Sequence, residues 1–277
     1  MAANAVPRSK QEVRAMAQNR EADVRGKVVV VTGASRGIGR VIAKMLAERG
    51  ARLVLMARST EAHPGRLPGT IEHTAGERRA AGAEVAVVAG DVAKEADVAD
   101  CARVTAERFG RCDVLINNAA ISAVGSVEAL PLRLWQRCFE VNVHGPYMMM
   151  RHFLPLLRAA APSHIINISS GAARRAWVDH AAYSASKAAM DRLSLTAAEE
   201  FKPDRISVAD LMLELSVVTE GYVFNSPGID TSDWEQPEIM GEAVLWILAH
   251  GDRYSGRIVT IGELREDYKD FTAGPRA

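Results

Sequence analysis

The sequence Val28-Val29-Val30-Val31-Thr32-Gly33-Ala34-Ser35-Arg36-Gly37-Ile38-Gly39 decides the fold of this 277-residue chain. Its four valines form an unbroken β-branched run, which is typical of a strand buried on both faces of a sheet. Glycines follow at once, and then Ile42, Met45 and Leu46 have the apolar spacing of a helix. Such a turn places peptide N–H groups and the positive helix end where a diphosphate can bind, which favours a nucleotide site over an empty tight turn.

The same sequence pattern continues along the chain: short β-branched or apolar runs alternate with segments that have helical spacing. The predicted strands are residues 28–31, 53–56, 85–88, 114–116, 165–168, 206–211 and 258–261. This alternation predicts a Rossmann-type α/β fold, a doubly wound and mainly seven-stranded parallel sheet with helices on both faces. We expect a single domain over residues 26–277, preceded by a polar extension over residues 1–25. Residues 58–70, rich in proline and glycine, are predicted to be a loop.

Composition and charge exclude several classes of function. The chain has 34 basic and 34 acidic side chains, so it has no broad positive surface for nucleic acid or anionic membranes. No apolar run approaches the roughly 20 residues needed to span a bilayer, and the N-terminus lacks the apolar core of a signal peptide, so we expect a cytoplasmic protein. Cys101, Cys112 and Cys138 lack metal-site spacing; we predict no metal and interpret them as core residues.

The end of the second predicted strand favours NADP(H) as the nucleotide. An NAD site usually has an acidic residue about 20 residues after the glycines, where it binds the ribose hydroxyls. Ala57 and Arg58 stand there instead, and Arg36 lies inside the glycine turn. Two guanidinium groups are suited to bind an additional phosphate on the ribose.

A second group of motifs carries acid–base chemistry. Tyr183 and Lys187 lie four residues apart in an alanine-rich segment that favours helix, so their side chains are expected to project together. The lysine is expected to lower the pKa of the phenol, ordinarily about 10, so that it can exchange a proton near neutral pH. Ser170 lies just past the strand predicted over residues 165–168, where open α/β sheets bind ligands, and its hydroxyl can hold a substrate oxygen.

These motifs together resemble the short-chain dehydrogenase/reductase family in its compact single-domain form, from about residue 27 to about residue 262. Thr32-Gly33-x-x-x-Gly37-x-Gly39 is similar to that family's cofactor turn. Asp91-Val92 is similar to its adenine-contacting pair, and Asn117-Asn118-Ala119-Ala120 to its N-N-A-G segment, with alanine in place of the last glycine.

The resemblance implies a role for each matching residue. Ser170 would orient the substrate, Tyr183 would act as general acid/base, and Lys187 would bind the nicotinamide ribose and tune the tyrosine. Asn142 would support a water linked to the lysine. The cofactor-binding residues implied in this way are Gly33, Ser35, Arg36, Gly37, Ile38, Gly39, Arg58, Asp91, Val92, Asn118, Ala119, Ala120, Tyr183, Lys187, Val218 and Thr219.

Two segments depart from the family pattern. Residues 211–219 lack the Pro-Gly turn that follows the sixth strand, and we expect Leu213, Glu214 and Leu215 to alter the floor of the site. The last strand ends without the usual D-G-G. Residues 220–238 are predicted to form a lid over the substrate pocket, and their aromatic side chains suggest an apolar ligand.

The leading hypothesis is an NADP(H)-dependent oxidoreductase that transfers hydride between nicotinamide and a small-molecule carbonyl or secondary alcohol. The alternative is a non-catalytic nucleotide-binding or structural protein on the same fold. A sugar-nucleotide epimerase or dehydratase usually has a longer C-terminal domain, and a methyltransferase has no use for the serine, tyrosine and lysine. A homo-oligomer, tetramer or dimer, is expected through helices near residues 132–160 and 183–202. The small residues that would allow close packing there, or alternatively serve an internal interface, are Ala185, Ala188, Ala189 and Ala197.

Overall fold

The computed structural model describes residues 22–225 and 228–267, which form a seven-stranded parallel sheet with helices on both faces. The strands are β1 (Val28–Thr32), β2 (Arg52–Ala57), β3 (Val85–Ala89), β4 (Val114–Asn117), β5 (Ser163–Ser170), β6 (Ile206–Leu213) and β7 (Arg257–Thr260). Their order is β3-β2-β1-β4-β5-β6-β7, and every neighbouring pair is parallel. The predicted fold class and all seven predicted strands are therefore confirmed.

The strand ends differ from the prediction by one or two residues, and three of these differences affect the site or the C-terminal segment. Strands β5 and β6 are longer than predicted because they stay in register from Ser163 and Ile206 up to Ser170 and Leu213. Ser170 is therefore the last residue of its strand rather than a residue beyond it. Ile261, predicted to end the seventh strand, begins a helix instead.

Helices connect the strands. They are α1 (Gly37–Glu48), α2 (Ile71–Ala80), α3 (Glu95–Phe109), α4 (Leu132–Phe139), α5 (Gly145–Ala160), α6 (Ala181–Phe201), α7 (Glu220–Asn225), α8 (Glu238–Ala249), α9 (Gly251–Tyr254) and α10 (Ile261–Asp267). A π-helical turn (Glu140–His144) joins α4 to α5. In the part of the chain that the structure describes, no helix is long and apolar enough to cross a membrane.

Two apolar cores cover the two faces of the sheet. Successive side chains of a strand point to opposite faces, so Val29 and Val31 lie in one core while Val28 and Val30 lie in the other. The first core is completed by α1, α2 and α8, and the second by α3, α5 and α6. Burial on both faces explains why β1 reads as an uninterrupted valine run.

Some residues assigned by sequence to the periphery belong to these cores. Ala22 and Val24 are buried in the first core, so packing begins inside the segment predicted as an extension, while residues 1–21 lie outside the described range. Ala197 is buried in the second core and serves internal packing, whereas Ala188 on the same helix is exposed. The three cysteines are free and buried, as predicted.

The turn between β1 and α1 packs against the segment that follows β4. Thr32 Oγ1 accepts hydrogen bonds from the backbone N–H groups of Asn118 (3.0 Å) and Ala119 (3.1 Å), and Asn118 Nδ2 donates to the Thr32 carbonyl (2.9 Å). Gly33 has a φ of +68° and lies so close that a Cβ would stand 2.9 Å from Ala119 Cα. At Gly39 a Cβ would stand 2.4 Å from Asn118 Nδ2.

We predict that Gly39→Ala destabilises the protein by about 1–3 kcal/mol, because the added methyl group overpacks the contact between α1 and the segment after β4. Gly76→Ala is the matched control, since Gly76 is an exposed helical glycine with nothing within 4 Å of its missing Cβ. That control should gain up to about 1 kcal/mol from helix propensity. Urea unfolding of both variants measures the difference, and equal stabilities would contradict the packing argument.

Candidate functional site

A cavity of about 510 Å³ lies at the carboxyl ends of β1 to β4. It includes the point where the strand order changes direction between β1 and β4, which is where ligands bind in open α/β sheets. The predicted cofactor-binding residues that line it are Gly33, Ser35, Arg36, Gly37, Ile38, Arg58, Asp91, Val92, Asn118, Ala119, Ala120 and Thr219. The structure thus brings most of the predicted cofactor site together around one space.

Four predicted cofactor residues do not line this cavity. Gly39 lies buried beneath the turn, where its missing side chain lets α1 approach Asn118. Val218 lines a neighbouring cavity and donates its backbone N–H to the Glu235 carbonyl. Tyr183 and Lys187 lie on α6.

The walls of this cavity fit a dinucleotide phosphate on two counts. The N-terminus of α1 opens into it, and the first turn of the helix has no acidic residue of its own to neutralise its partial positive charge. Gly33 and Gly37 both have positive φ and keep the backbone free of side chains where a phosphate would approach.

Arg36 is bound by the loop after β2. Its guanidinium donates to Ser59 Oγ (2.7 Å), to the Pro68 carbonyl (3.0 Å) and to the Gly69 carbonyl (2.9 Å). Arg36, which is predicted to bind a phosphate, fixes in the structure the loop predicted over residues 58–70, which contains no regular element. Ser59, which sequence analysis missed, lines the cavity beside Arg58.

Asp91 is held by two arginines rather than lying free. Its carboxylate accepts a short hydrogen bond from Arg137, and Arg58 lies 3.9 Å away. Burial alone would raise the pKa of Asp91, but the backbone N–H of Ala93 and the charge of Arg137 hold it below its usual value. Arg137 lies on α4, far along the sequence, and no motif pointed to it.

The predicted catalytic groups meet at the end of β5 and the start of α6. The Ser170 hydroxyl lies close enough to the Tyr183 phenol to affect its pKa, and Lys187 Nζ lies 5.8 Å from the centre of the tyrosine ring. Lys187 donates to the Ile168 carbonyl at 2.7 Å and is almost completely buried. Serine, tyrosine and lysine therefore occupy one cluster, as their spacing predicted.

The electrostatics of this cluster differ from the sequence prediction. Burial raises the pKa of Tyr183 above its ordinary value, although the Ser170 hydroxyl opposes the shift. The prediction that Lys187 lowers the pKa of this phenol is therefore wrong for the protein without a cofactor. Burial also lowers the pKa of Lys187 to about 8, opposed by the carboxyl groups of Asp191 and Asp210, so the lysine itself titrates near neutral pH.

Asn142 links the cluster to the segment after β4. Its Oδ1 accepts from Ile121 N at 2.9 Å, and its Nδ2 donates to the Ile121 carbonyl and to Ser186 Oγ, also at 2.9 Å. Ser186 in turn donates to the Tyr183 carbonyl at 2.8 Å. Asn142 is fully buried. Its hydrogen bonds connect the π-helical turn to α6, the helix that carries Tyr183.

The segment without the Pro-Gly turn has a different anchor. Leu213 continues β6, and both Leu213 and Leu215 pack against the first core rather than lining the cavity. The Glu214 carboxylate accepts from Gly262 N at 2.7 Å, at the start of α10. A Cβ at Gly262 would stand 2.5 Å from Glu214 Oε1 and would displace that carboxylate.

Aromatic side chains surround the approach to Tyr183. Trp177 stacks on His180 with ring centres 3.7 Å apart and meets Tyr183 edge-on at 6.1 Å. His180 also contacts the Val178 carbonyl through Nδ1 (2.9 Å). In the predicted lid, Tyr222 and Trp234 pack edge to face at 4.6 Å, so Trp234 packs within the lid.

Two carboxyl groups, those of Asp191 and Asp210, interact with the predicted catalytic residue Lys187. Asp191 accepts a short hydrogen bond from Ser169, and Asp210 Oδ1 accepts from Asn167 Nδ2 at 3.1 Å. The two carboxyl groups lie close enough to affect each other's protonation. Burial, followed by the charge of Asp191, raises the pKa of Asp210 well above its usual value. Asp210 therefore keeps its proton in the folded protein at pH values where an exposed aspartate has lost it.

The parallel sheet, the glycine-rich turn and the cavity at the strand ends define a Rossmann-type nucleotide-binding domain. The family profile described as short chain dehydrogenase matches residues 27–218. Hydroxysteroid dehydrogenase-like protein 2 of Xenopus tropicalis is 33% identical over 252 residues, a match that covers 89% of this chain and 60% of that relative. An uncharacterized oxidoreductase of Thermotoga maritima is 34% identical over 234 residues, 84% of this chain and 83% of that protein.

A solved structure is similar as well. The crystal structure of a metagenomic short-chain oxidoreductase in complex with NADP has a TM-score of 0.71 and 33% identity, covering 86% of this chain and 98% of that one. The chain belongs to the short-chain dehydrogenase/reductase family, so its fold is that of an oxidoreductase, as the sequence motifs indicated.

We predict that Asp210→Asn raises the thermal midpoint more at pH 8 than at pH 4. The raised pKa means that the folded state binds a proton which the unfolded state releases above its ordinary pKa, so stability falls as pH rises through this range. The neutral amide removes that loss. Thermal melts at both pH values test it, with the exposed Asp100→Asn as control. A gain that is the same at both pH values would contradict the assignment of the proton to Asp210.

Proposed function

We propose that this protein is an NADP(H)-dependent oxidoreductase that interconverts a carbonyl compound and a secondary alcohol, with Tyr183 as the general acid/base. The observation that carries this proposal is the cluster of Ser170, Tyr183 and Lys187. Hydrogen bonds through Asn142 connect the helix of this cluster to Ile121 in the wall of the cavity. When bound, the nicotinamide supplies the hydride, and the protein supplies orientation and a proton.

Arginine chemistry supports NADP(H) rather than NAD(H). Arg36 and Arg58 both line the cavity next to Ser59, and no carboxylate stands at Ala57, the last residue of β2. Guanidinium and hydroxyl groups suit a ribose phosphate, whereas an NAD site uses an acidic residue at this point. The NADP in the similar metagenomic oxidoreductase is consistent with this choice.

The state of Tyr183 favours reduction near neutral pH. Its raised pKa keeps the phenol protonated, which is the form that can donate a proton to a carbonyl oxygen as that oxygen gains negative charge. Ser170 would hold the same oxygen through its hydroxyl. The buried ammonium of Lys187 would then stabilise the phenolate that remains, since two charges interact strongly away from water.

An apolar substrate fits the surroundings of the tyrosine. Trp177 is 40% exposed beside the phenol, and the adjacent Val178 is 81% exposed. Apolar side chains exposed together near a polar reacting group suit a ligand with an apolar body and a carbonyl or hydroxyl group. We therefore propose a small-molecule substrate of this kind.

A non-catalytic nucleotide-binding protein remains the second candidate. The observation that favours it is the replaced turn after β6, where Glu214 binds Gly262 in place of the family's Pro-Gly sequence. The intact serine, tyrosine and lysine argue for turnover. The two candidates differ in one measurement, the oxidation of NADPH in the presence of carbonyl compounds.

Tyr183→Phe should reduce kcat by about 10²-fold or more while NADPH still binds with nearly unchanged affinity, because only the proton donor is removed. NADPH absorbance over a panel of ketones, aldehydes and quinones measures turnover, and fluorescence titration measures binding. Tyr147→Phe, an exposed position on α5, is the control. Full activity of the Tyr183 variant, or no turnover by the wild type on a broad panel, would reject the catalytic proposal.

Ala57→Asp should reduce the preference for NADPH over NADH by about tenfold or more. A carboxylate at the end of β2 repels a ribose phosphate and can accept hydrogen bonds from free ribose hydroxyls. The readout is the ratio of dissociation constants for the two cofactors. Ala80→Asp adds the same charge on the exposed end of α2 and should leave that ratio unchanged. An unchanged ratio for Ala57→Asp would show that the cofactor phosphate lies elsewhere.

A further inference from the structure

The N-terminus of α1 is already in contact with a carboxylate of this chain. Glu220, the first residue of α7, accepts a hydrogen bond through Oε2 from Gly37 N at 3.0 Å. Gly37 is the first residue of α1, and the residue before it, Arg36, makes no side-chain cap to the helix. The lid segment therefore supplies the anion that this helix end lacks locally.

This contact lies where the proposed dinucleotide would place its diphosphate. Ser35, Gly37 and Ile38 line the cavity, and the helix N-terminus is the natural anchor of a phosphate group. A carboxylate oxygen and a phosphate oxygen are both anionic acceptors, so they compete for the same N–H group. The positive charge of Arg36 also attracts the Glu220 carboxylate toward the start of α1, since the two groups lie close enough to interact.

A second cavity could hold the Glu220 side chain in a different orientation. It has a volume of about 390 Å³, meets the first cavity at Gly37, and includes Glu220 in its wall. Its basic side chains are Arg40, Lys44 and Arg78. Lys44 is half exposed, and its Nζ lies 4.0 Å from Glu48 Oε1, which is a loose ion pair. The Lys44 ammonium can therefore donate a hydrogen bond to a second carboxylate.

We propose that Glu220 is an internal competitor for the cofactor diphosphate, and that it turns toward Lys44 and Arg40 in the second cavity when the dinucleotide binds. The inference rests on the proposed function, since it requires a dinucleotide in the first cavity. Thr219 and Gly221 line that first cavity on either side of Glu220. Displacement of one side chain therefore frees the helix end and releases the first residue of the lid from α1.

A purely structural cap would have a different consequence. If Glu220 only stabilised the start of α1, its removal would lower stability and leave cofactor affinity unchanged or weaker. If Glu220 competes with the diphosphate, its removal tightens cofactor binding. The sign of the change in affinity separates the two roles.

The test compares NADPH dissociation constants at fixed ionic strength for the wild type, Glu220→Gln and Glu220→Ala. We expect Glu220→Gln to bind NADPH about fivefold more tightly, which is the scale of one charge at a helix end. Glu220→Ala, which also removes the acceptor, should bind at least as tightly. Glu238→Gln is the matched control, because Glu238 lines the same second cavity but does not contact Gly37; its affinity should stay within about twofold.

Adenosine 2′-monophosphate is the second probe, since it has the ribose phosphate but no diphosphate. Its affinity should change much less than that of NADPH in the Glu220 variants, because Glu220 acts on the ribose phosphate only through the charge of Arg36. Unchanged or weaker NADPH binding by both Glu220 variants overturns the inference, as does equal tightening by Glu238→Gln. Failure of the wild type to bind NADPH at all would instead reject the proposed function, and the inference with it.

Discussion

The close packing of the β1–α1 turn against the segment after β4 is the constraint on which the rest of the site depends. Thr32 and Asn118 exchange hydrogen bonds across it, so two strand ends are fixed relative to each other. The absence of side chains at Gly33 and Gly39 lets α1 begin directly above the sheet edge. Its N-terminus is thereby directed into the cavity, and the groups proposed to meet a diphosphate are all placed relative to that helix end.

Sequence could predict the sheet, and it could predict which residues gather at its carboxyl edge, because burial on both faces leaves unbroken apolar runs and parallel strands end together. It could not find contacts between distant segments. Arg137 reaches Asp91 across 46 positions, and Glu220 reaches Gly37 across 183. Such pairs depend on how helices and loops pack over the sheet, so the spacing of residues within one motif does not predict them.

The charge balance around Lys187 explains why the pKa prediction for the tyrosine was wrong. A lysine one helical turn away stabilises a phenolate, but burial destabilises every isolated charge in the cluster. Asp191, one turn further along α6, and Asp210 on β6 oppose the effect of burial on Lys187. How much solvent each group loses is a property of the packed domain, whereas the spacing of Tyr183 and Lys187 reports only that they share a helix face.

The attachment of Arg36 to the loop after β2 has an evolutionary consequence. Three acceptors contributed by Ser59, Pro68 and Gly69 surround one guanidinium, so the length and course of that loop are tied to the side chain at position 36. Relatives that shorten this loop would leave the arginine without partners. We therefore expect the residue at position 36 to covary with loop length and with a hydroxyl at position 59, as a single inherited unit.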